Sequence, residues 1–283
     1  MISQDNLLHD EKLHIILLGT GGPINNIKRI TSSTAIIAGG VFILFDIGPG
    51  TYRNADLMRL PVAHISAIFL THFHSDHIGD LGEANMLSWA NGRTKPLEVY
   101  GPKGVEKVVK GFKLAYELDT IYRITHHGQE ILPPEAGIPI SKNIKLKDKN
   151  QRALCFDRND LRVYAFEVDH SPVYPAFGYR VEYKGSCVII TGDTIKTDNL
   201  VTHSQDADII ICEAISYELL NNLANIANTA NQPRFAKIVS DIQDYHMNPI
   251  SAAKLAKEAN VKKLVFVHIT PPIINKNLEQ VFL

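Results

Sequence analysis

The chain is 283 residues long, 45% hydrophobic and 21% charged, enough to bury a substantial core in one large domain or two small ones. Its 29 lysines and arginines against 30 aspartates and glutamates give a formal charge of −1. That excludes a global field able to hold nucleic acid, so an anionic partner has to be drawn in locally.

The N-terminal stretch MISQDNLLHDEKLH has no apolar core, so neither a signal peptide nor a membrane span is expected. In chain order, β-branched runs then predict strands at residues 14–18, 34–38, 41–45 and 67–70. Helical patterns fall at 51–59, 81–90 and 104–116. Residues 129–152 read as a solvated loop or hairpin, because ILPPEAGIPI leads into SKNIKLKDKNQR, where five basic residues accompany Asp148 alone. A nucleic-acid contact is the second reading of that stretch. Further strands are expected at 161–168, 176–183, 187–190, 208–212 and 264–267, with helices at 216–229 and 249–259. Cys155, Cys187 and Cys212 lie in or beside these apolar runs and are odd in number, which favours reduced thiols and a cytoplasmic location over a disulfide framework. Two batches of strands, each followed by helices, predict two sheets with helices outside, in a single domain over 1–283.

The chemistry gathers in FLTHFHSDHIGDL, residues 69–81. His72, His74 and Asp76 alternate, so an extended segment would project them to one side while His77 turns another way. Three imidazoles and a carboxylate in six residues have no packing rationale and would repel one another when protonated. Metal ligation, with room for two ions, accounts for them. LGTGG offers a competing motif, but a dinucleotide fingerprint needs a third glycine where the chain has Ile24, which disfavours a Rossmann dehydrogenase. His14, His64, His126, His127 and His203 lack a comparable context and read as structural or surface residues, with the His126–His127 pair a candidate for lining a cleft.

HxHxDH at a strand-to-helix junction, with LGTGG upstream and TGD far downstream, resembles the metallo-β-lactamase superfamily of hydrolases across nearly the whole chain. The resemblance implies an α/β fold, a four-layer αβ/βα sandwich of two mixed sheets with helices on the outside. It also implies two Zn2+ ions, with Mn2+ or Fe2+ as alternatives. By that pattern His72, His74 and His170 (VDHSP) hold one ion and Asp76, His77 and His268 (FVHIT) the other, and Asp193 (TGDT) bridges them. The glycines of LGTGG would let the backbone pass close to the metal floor. With two carboxylates and a bridging hydroxide, such a centre keeps a charge of about +1 and favours an anionic substrate.

The ordered motifs LGTGG, FDIGPGT, THFHSDHIGDL, GRTKPLEVYGPKG, PAFGYRV, TGDT, CEA and DYHMNP are similar to the ribonuclease Z and arylsulfatase-like branch. Its founding activity is phosphodiester cleavage at the 3′ side of tRNA precursors. The similarity implies that His246 assists the leaving group or scissile phosphate, that Glu213 orients His246, and that Asp76 positions the water. One departure stands out. Ribonuclease Z enzymes commonly carry a tRNA-gripping arm between the third histidine ligand and the bridging aspartate, yet here His170 and Asp193 are only 23 positions apart. The lysine-rich residues 142–152 could substitute only with modest, salt-sensitive binding. A binuclear zinc hydrolase using a metal-bridging hydroxide on a phosphodiester or related small anionic ester is therefore expected, with RNA as one substrate class. A lactonase, β-lactamase or aryl sulfatase on the same site is the alternative. A redox or purely metal-binding protein is the third reading, although iron versions of the fold place a glutamate where this chain has His74. Specificity is expected in loops around Trp89, His126, His127, 129–152 and Tyr174, and family analogy implies a homodimer.

Overall fold

The computed structural model describes residues 4–273 and 276–282. Its first sheet contains β1 (His14–Gly19), β2 (Ser33–Ala38), β3 (Val41–Phe45), β4 (Ile65–Phe69), β5 (Glu98–Gly101) and β6 (Ile140–Asn143), in spatial order β1-β2-β3-β4-β5-β6. Pairing is antiparallel from β1 to β3 and parallel from β3 to β6. The second sheet has β7 (Ala153–Arg158), β8 (Leu161–His170), β9 (Val173–Tyr183), β10 (Ser186–Ile190), β11 (Ile209–Ile215) and β12 (Lys263–Thr270), in order β12-β11-β10-β9-β8-β7. There β7 to β10 pair antiparallel and β10 to β12 parallel.

The helices are α1 (Gln4–His9), α2 (Thr51–Leu57), α3 (Ser75–Ile78), α4 (Leu81–Ala90), α5 (Val105–Ala115), α6 (Glu117–His127), α7 (Pro134–Gly137), α8 (Asp198–His203), α9 (Tyr217–Thr229), α10 (Pro233–Asp241) and α11 (Pro249–Glu258). Strand alternation decides which layer each side chain joins. Ile36, Ile43 and Phe45 point between the sheets, against Val163, Tyr179, Val188 and Ile211. Their neighbours Ile37, Phe42 and Leu44 point outward, where Tyr52, Ala55, Leu81, Ala84 and Val109 cover them. Leu200, Ala252 and Leu255 cover Phe166, Ile189 and Ile210 on the outer face of the second sheet in the same way. The result is the expected four-layer αβ/βα sandwich. Each fully buried Val, Leu, Ile or Phe contributes roughly 1.5–3 kcal/mol.

Phe69, the last residue of β4, stacks between Phe45 and Tyr100, with ring centroids 5.1 and 4.7 Å away. Tyr179 Oη donates to the Leu70 carbonyl at 2.6 Å. The chain is therefore pinned immediately before the histidine-rich segment begins.

Two expectations are corrected. Residues 129–152 are not simply a solvated loop: they contain α7 and the edge strand β6, whose Ile140 pairs with Glu98. Trp89 is not at a substrate loop either. It is 1% exposed, its Nε1 donates to the Pro133 carbonyl, and it forms a small core with Met86, Leu132 and Ala136.

Candidate metal centre

The side chains singled out above are carried by the carboxyl ends of strands from both sheets, where open α/β architectures place their ligands. β4 leads into His72, His74, Asp76 and His77, and β8 ends on His170. Asp193 follows β10, Glu213 lies near the end of β11, and His268 lies near the end of β12. His246 sits between α10 and α11. Simple alternation does not explain the first four residues. The backbone is extended only as far as His74, whose ψ is 148°, and the single turn of α3 then presents Asp76 and His77.

Among the described residues, three groups of donors gather with ligand atoms within 4.8 Å of one another. The first comprises His72, His74, His170 and Asp193; the second Asp76, His77 and His268; the third Asp193, Glu213, His246 and His268. In the first, His74 Nδ1 lies 3.0 Å from His72 Nε2 and 3.5 Å from His170 Nε2. Two nitrogens bound to one tetrahedral zinc lie about 3.3 Å apart, given zinc–nitrogen distances of about 2.05 Å. Asp193 Oδ2 faces both histidine groups. It is 3.2 Å from His77 Nε2, 3.3 Å from His268 Nε2, 3.8 Å from His72 Nε2 and 4.0 Å from His170 Nε2. Asp76 Oδ2 is 3.2 Å from His268 Nε2 and 3.6 Å from His77 Nε2.

The outward nitrogens of three rings are occupied by protein groups, which leaves their inward nitrogens free. His170 Nδ1 donates to the Tyr245 carbonyl at 3.0 Å. His77 Nδ1 donates to Asp46 Oδ2 at 2.7 Å. Thr71 Oγ1 donates to that same carboxylate oxygen at 2.9 Å, so it accepts from His72 Nδ1, also at 2.9 Å. A partner on the far nitrogen fixes the tautomer and the ring orientation, as metal-binding histidines require. Asp46 was missed by sequence reasoning. It is 2% exposed with φ of 55°, and the available signal was a lone aspartate closing the apolar run VFILF.

Burial holds His72 well below the ordinary histidine pKa and His170 down at about 4, so both are neutral and able to ligate. Burial would raise Asp193, but His268 and His77 outweigh it and keep the carboxylate ionised. His77 is held high despite complete burial, because Asp193 and Asp46 flank it. Its Nε2 is buried and makes no hydrogen bond, as is true of His268 Nδ1, which lies 3.9 Å from Glu213 Oε2. A buried nitrogen aimed at two carboxylates without a partner, beside a nest of neutral imidazoles, fits a divalent cation. Glu213 Oε2 and His246 Nδ1 are 2.5 Å apart and both are buried.

Two close approaches of backbone depend on glycine. A Cβ at Gly22 of LGTGG would collide with Thr270 Oγ1 and stand 3.1 Å from His268 Cε1. One at Gly48 would collide with the Asp76 carbonyl. His126 and His127 sit at the exposed end of α6, 4.7 Å apart by ring centroid.

Residues 42–269 match the family model described as a beta-lactamase superfamily domain. The chain is 34% identical over 265 residues to a ribonuclease Z of Mycobacterium marinum, covering 93% of this chain and 88% of the relative. It is equally identical to a ribonuclease Z of Mycobacterium bovis, covering 92% and 87%. The chain belongs to the metallo-β-lactamase superfamily, in its ribonuclease Z branch. It is a metal-dependent hydrolase. Among solved structures, human tRNase Z, short form, superposes with a TM-score of 0.67 at 25% identity, covering 90% of this chain and 92% of the other. A metallo-β-lactamase fold protein of Bacillus subtilis shares the fold, with a TM-score of 0.64 at 19% identity, covering 96% and 92%. No described helix is long and apolar enough to cross a membrane.

Proposed function

We propose that the chain is a binuclear zinc phosphodiesterase that cleaves RNA in the manner of ribonuclease Z. His72, His74 and His170 would hold one ion, Asp76, His77 and His268 the second, and Asp193 would bridge the two. Bound there, zinc supplies Lewis acidity toward a phosphoryl oxygen and acidifies water to a pKa of about 7. The observation that carries this reading is the single oxygen of Asp193 lying within 4.0 Å of both sets of imidazole nitrogens.

The chain's own residues supply the rest. Asp76 lies beside the second set, where its carboxylate orients the attacking water. Glu213 Oε1 accepts from the Thr194 amide and Oε2 engages His246 Nδ1, so the carboxylate is fixed at both oxygens. His246 consequently presents Nε2 to the substrate with its tautomer fixed by Glu213, and burial lowers its pKa, which suits it to give a proton to a departing ribose oxygen.

Two substrates test this: bis(p-nitrophenyl) phosphate and a tRNA precursor with a 3′ extension, each assayed after chelation and after zinc is restored. Turnover of both should vanish with the metal and return with it, and His74→Ala and Asp193→Ala should abolish it. Undiminished turnover in both variants would defeat the proposal. A second reading, hydrolysis of a small anionic ester, is favoured by the short connection from His170 to Asp193, which consists of β9, a turn and β10 with no arm. A chromogenic lactone, β-lactam and aryl sulfate assayed beside the diester separates the two.

A further inference from the structure

We infer that a lysine-lined trough running from His170 to Lys103 binds a single strand of RNA next to the scissile bond, in place of the missing arm. The inference rests on the phosphodiesterase reading above. Two adjoining concavities form the trough, of about 430 and 520 Å3, and they share Lys149, Glu167 and Tyr174 in their walls. The nearer one is walled by His170 itself, so a strand seated in it is continuous with the metal centre. The farther one opens between Lys103, Lys145 and Lys147.

The lysine ribbon is built into the fold. Ile144 and Leu146 pack into the core between the sheets, and Lys145 and Lys147, which follow them in turn, are exposed. Asn199 Nδ2 bonds the carbonyls of both Lys149 and Glu167, which ties the end of the ribbon to β8. Lys142 and Arg152, the outer two of the five basic residues, are already engaged by Glu98 at 3.7 Å and Glu182 at 4.0 Å. The inner three, Lys145, Lys147 and Lys149, have no ion pair among the described residues, and neither does Lys103, nor Lys107 and Lys110 one and two turns further on. In the walls of the trough Glu106, Asp148, Glu167 and Asp169 match Lys103, Lys145, Lys147 and Lys149 in number, but three of the carboxylates are turned onto backbone amides of Gly104, Asn150 and Ser171. The lysines are therefore the charged groups left free for phosphate contacts, and exposed Lys107 and Lys110 of α5 add positive charge beyond the wall. Tyr174 is 76% exposed in the wall shared by both concavities. An exposed ring between a reactive centre and a row of cations matches the recognition of unstacked bases, where aromatic stacking and phosphate contacts act together.

The test is fluorescence anisotropy of a labelled single-stranded RNA of about 12 nucleotides with the full chain loaded with zinc, across a salt series. Four lysine–phosphate contacts should give a log–log salt slope of about −3. The triple variant Lys145→Ala, Lys147→Ala, Lys149→Ala should weaken binding at least tenfold at low salt and flatten that slope to about −1. Tyr174→Ala should weaken it about 5- to 100-fold, with Tyr174→Phe restoring affinity. Lys142→Ala and Arg152→Ala are the controls and should bind as wild type does. Absence of binding at low salt, an unchanged triple variant, equal losses in the controls, or equal affinity for a duplex would each overturn the trough. Binding is read without turnover. A protein that binds the strand yet fails the diester assay sinks the hydrolase reading alone, and the reverse result sinks the trough alone.

Discussion

Asp46 shows at the residue scale how a side chain that need touch no substrate governs the site. Its two carboxylate oxygens accept from the Thr71 amide, the Thr71 hydroxyl and His77 Nδ1, so it orients one histidine directly and another through Thr71. Asp46→Ala should lower zinc affinity 10–100-fold, measured by competition with a chromophoric chelator; unaltered affinity would show that the rings are held by packing alone. His246 invites a leaving-group comparison. His246→Ala should cost about 10²–10⁴ in kcat on RNA, but much less on bis(p-nitrophenyl) phosphate, whose leaving group departs without a proton. Equal losses on both would remove His246 as the acid. The cysteines, by contrast, should be inert. Burial pushes Cys155 up to about 12 and Cys187 up to about 11, and the thiolate is the reactive form. Iodoacetamide at pH 8 should leave the native thiols unmodified over minutes and alkylate all three after denaturation. His72, His74, Asp76 and His77 were legible because their density in one segment defies packing, whereas Asp46 was not, since a single aspartate after an apolar run is also an ordinary turn residue.

Elements differ in how plainly their sequences declare them. β2, β3, β4 and β10 are buried along nearly their whole length, and continuous apolar runs reveal such strands. β6 has no buried residue and β7 has one, so their pairing comes from edge geometry, which hydrophobic pattern does not encode. α6 likewise buries none of its residues. The two sheets also meet at one point of energetic consequence, the bond from Tyr179 of β9 to the Leu70 carbonyl that follows β4, just before the histidine segment. Tyr179→Phe should destabilise the chain by about 1–3 kcal/mol, because a buried acceptor loses its donor. Urea denaturation should show the loss as a lower midpoint with an unchanged slope, and an unshifted midpoint would mean that the carbonyl finds another partner.

For the whole molecule, sequence order and distance in space are unrelated: His72 and His268 lie 196 positions apart, yet Asp193 Oδ2 is within 3.8 Å of both. Resemblance to a family brought these distant residues into one list, and the two sheets, meeting at their carboxyl ends, bring them into one place. A cation held between those ends would be bound by the folded state alone. Zinc at about a thousand times its Kd should therefore stabilise the fold by about 4 kcal/mol, and chelation should lower Tm by roughly 8–16 °C. A Tm indifferent to chelation would mean that the centre is closed without metal. Anomalous scattering at the zinc edge, from crystals grown with zinc, is the most direct measurement. Two peaks are expected, one enclosed by His72, His74 and His170 and the other by Asp76, His77 and His268, with Asp193 between them. Density free of anomalous signal at those seven side chains, or zinc held elsewhere on the chain, would contradict the account.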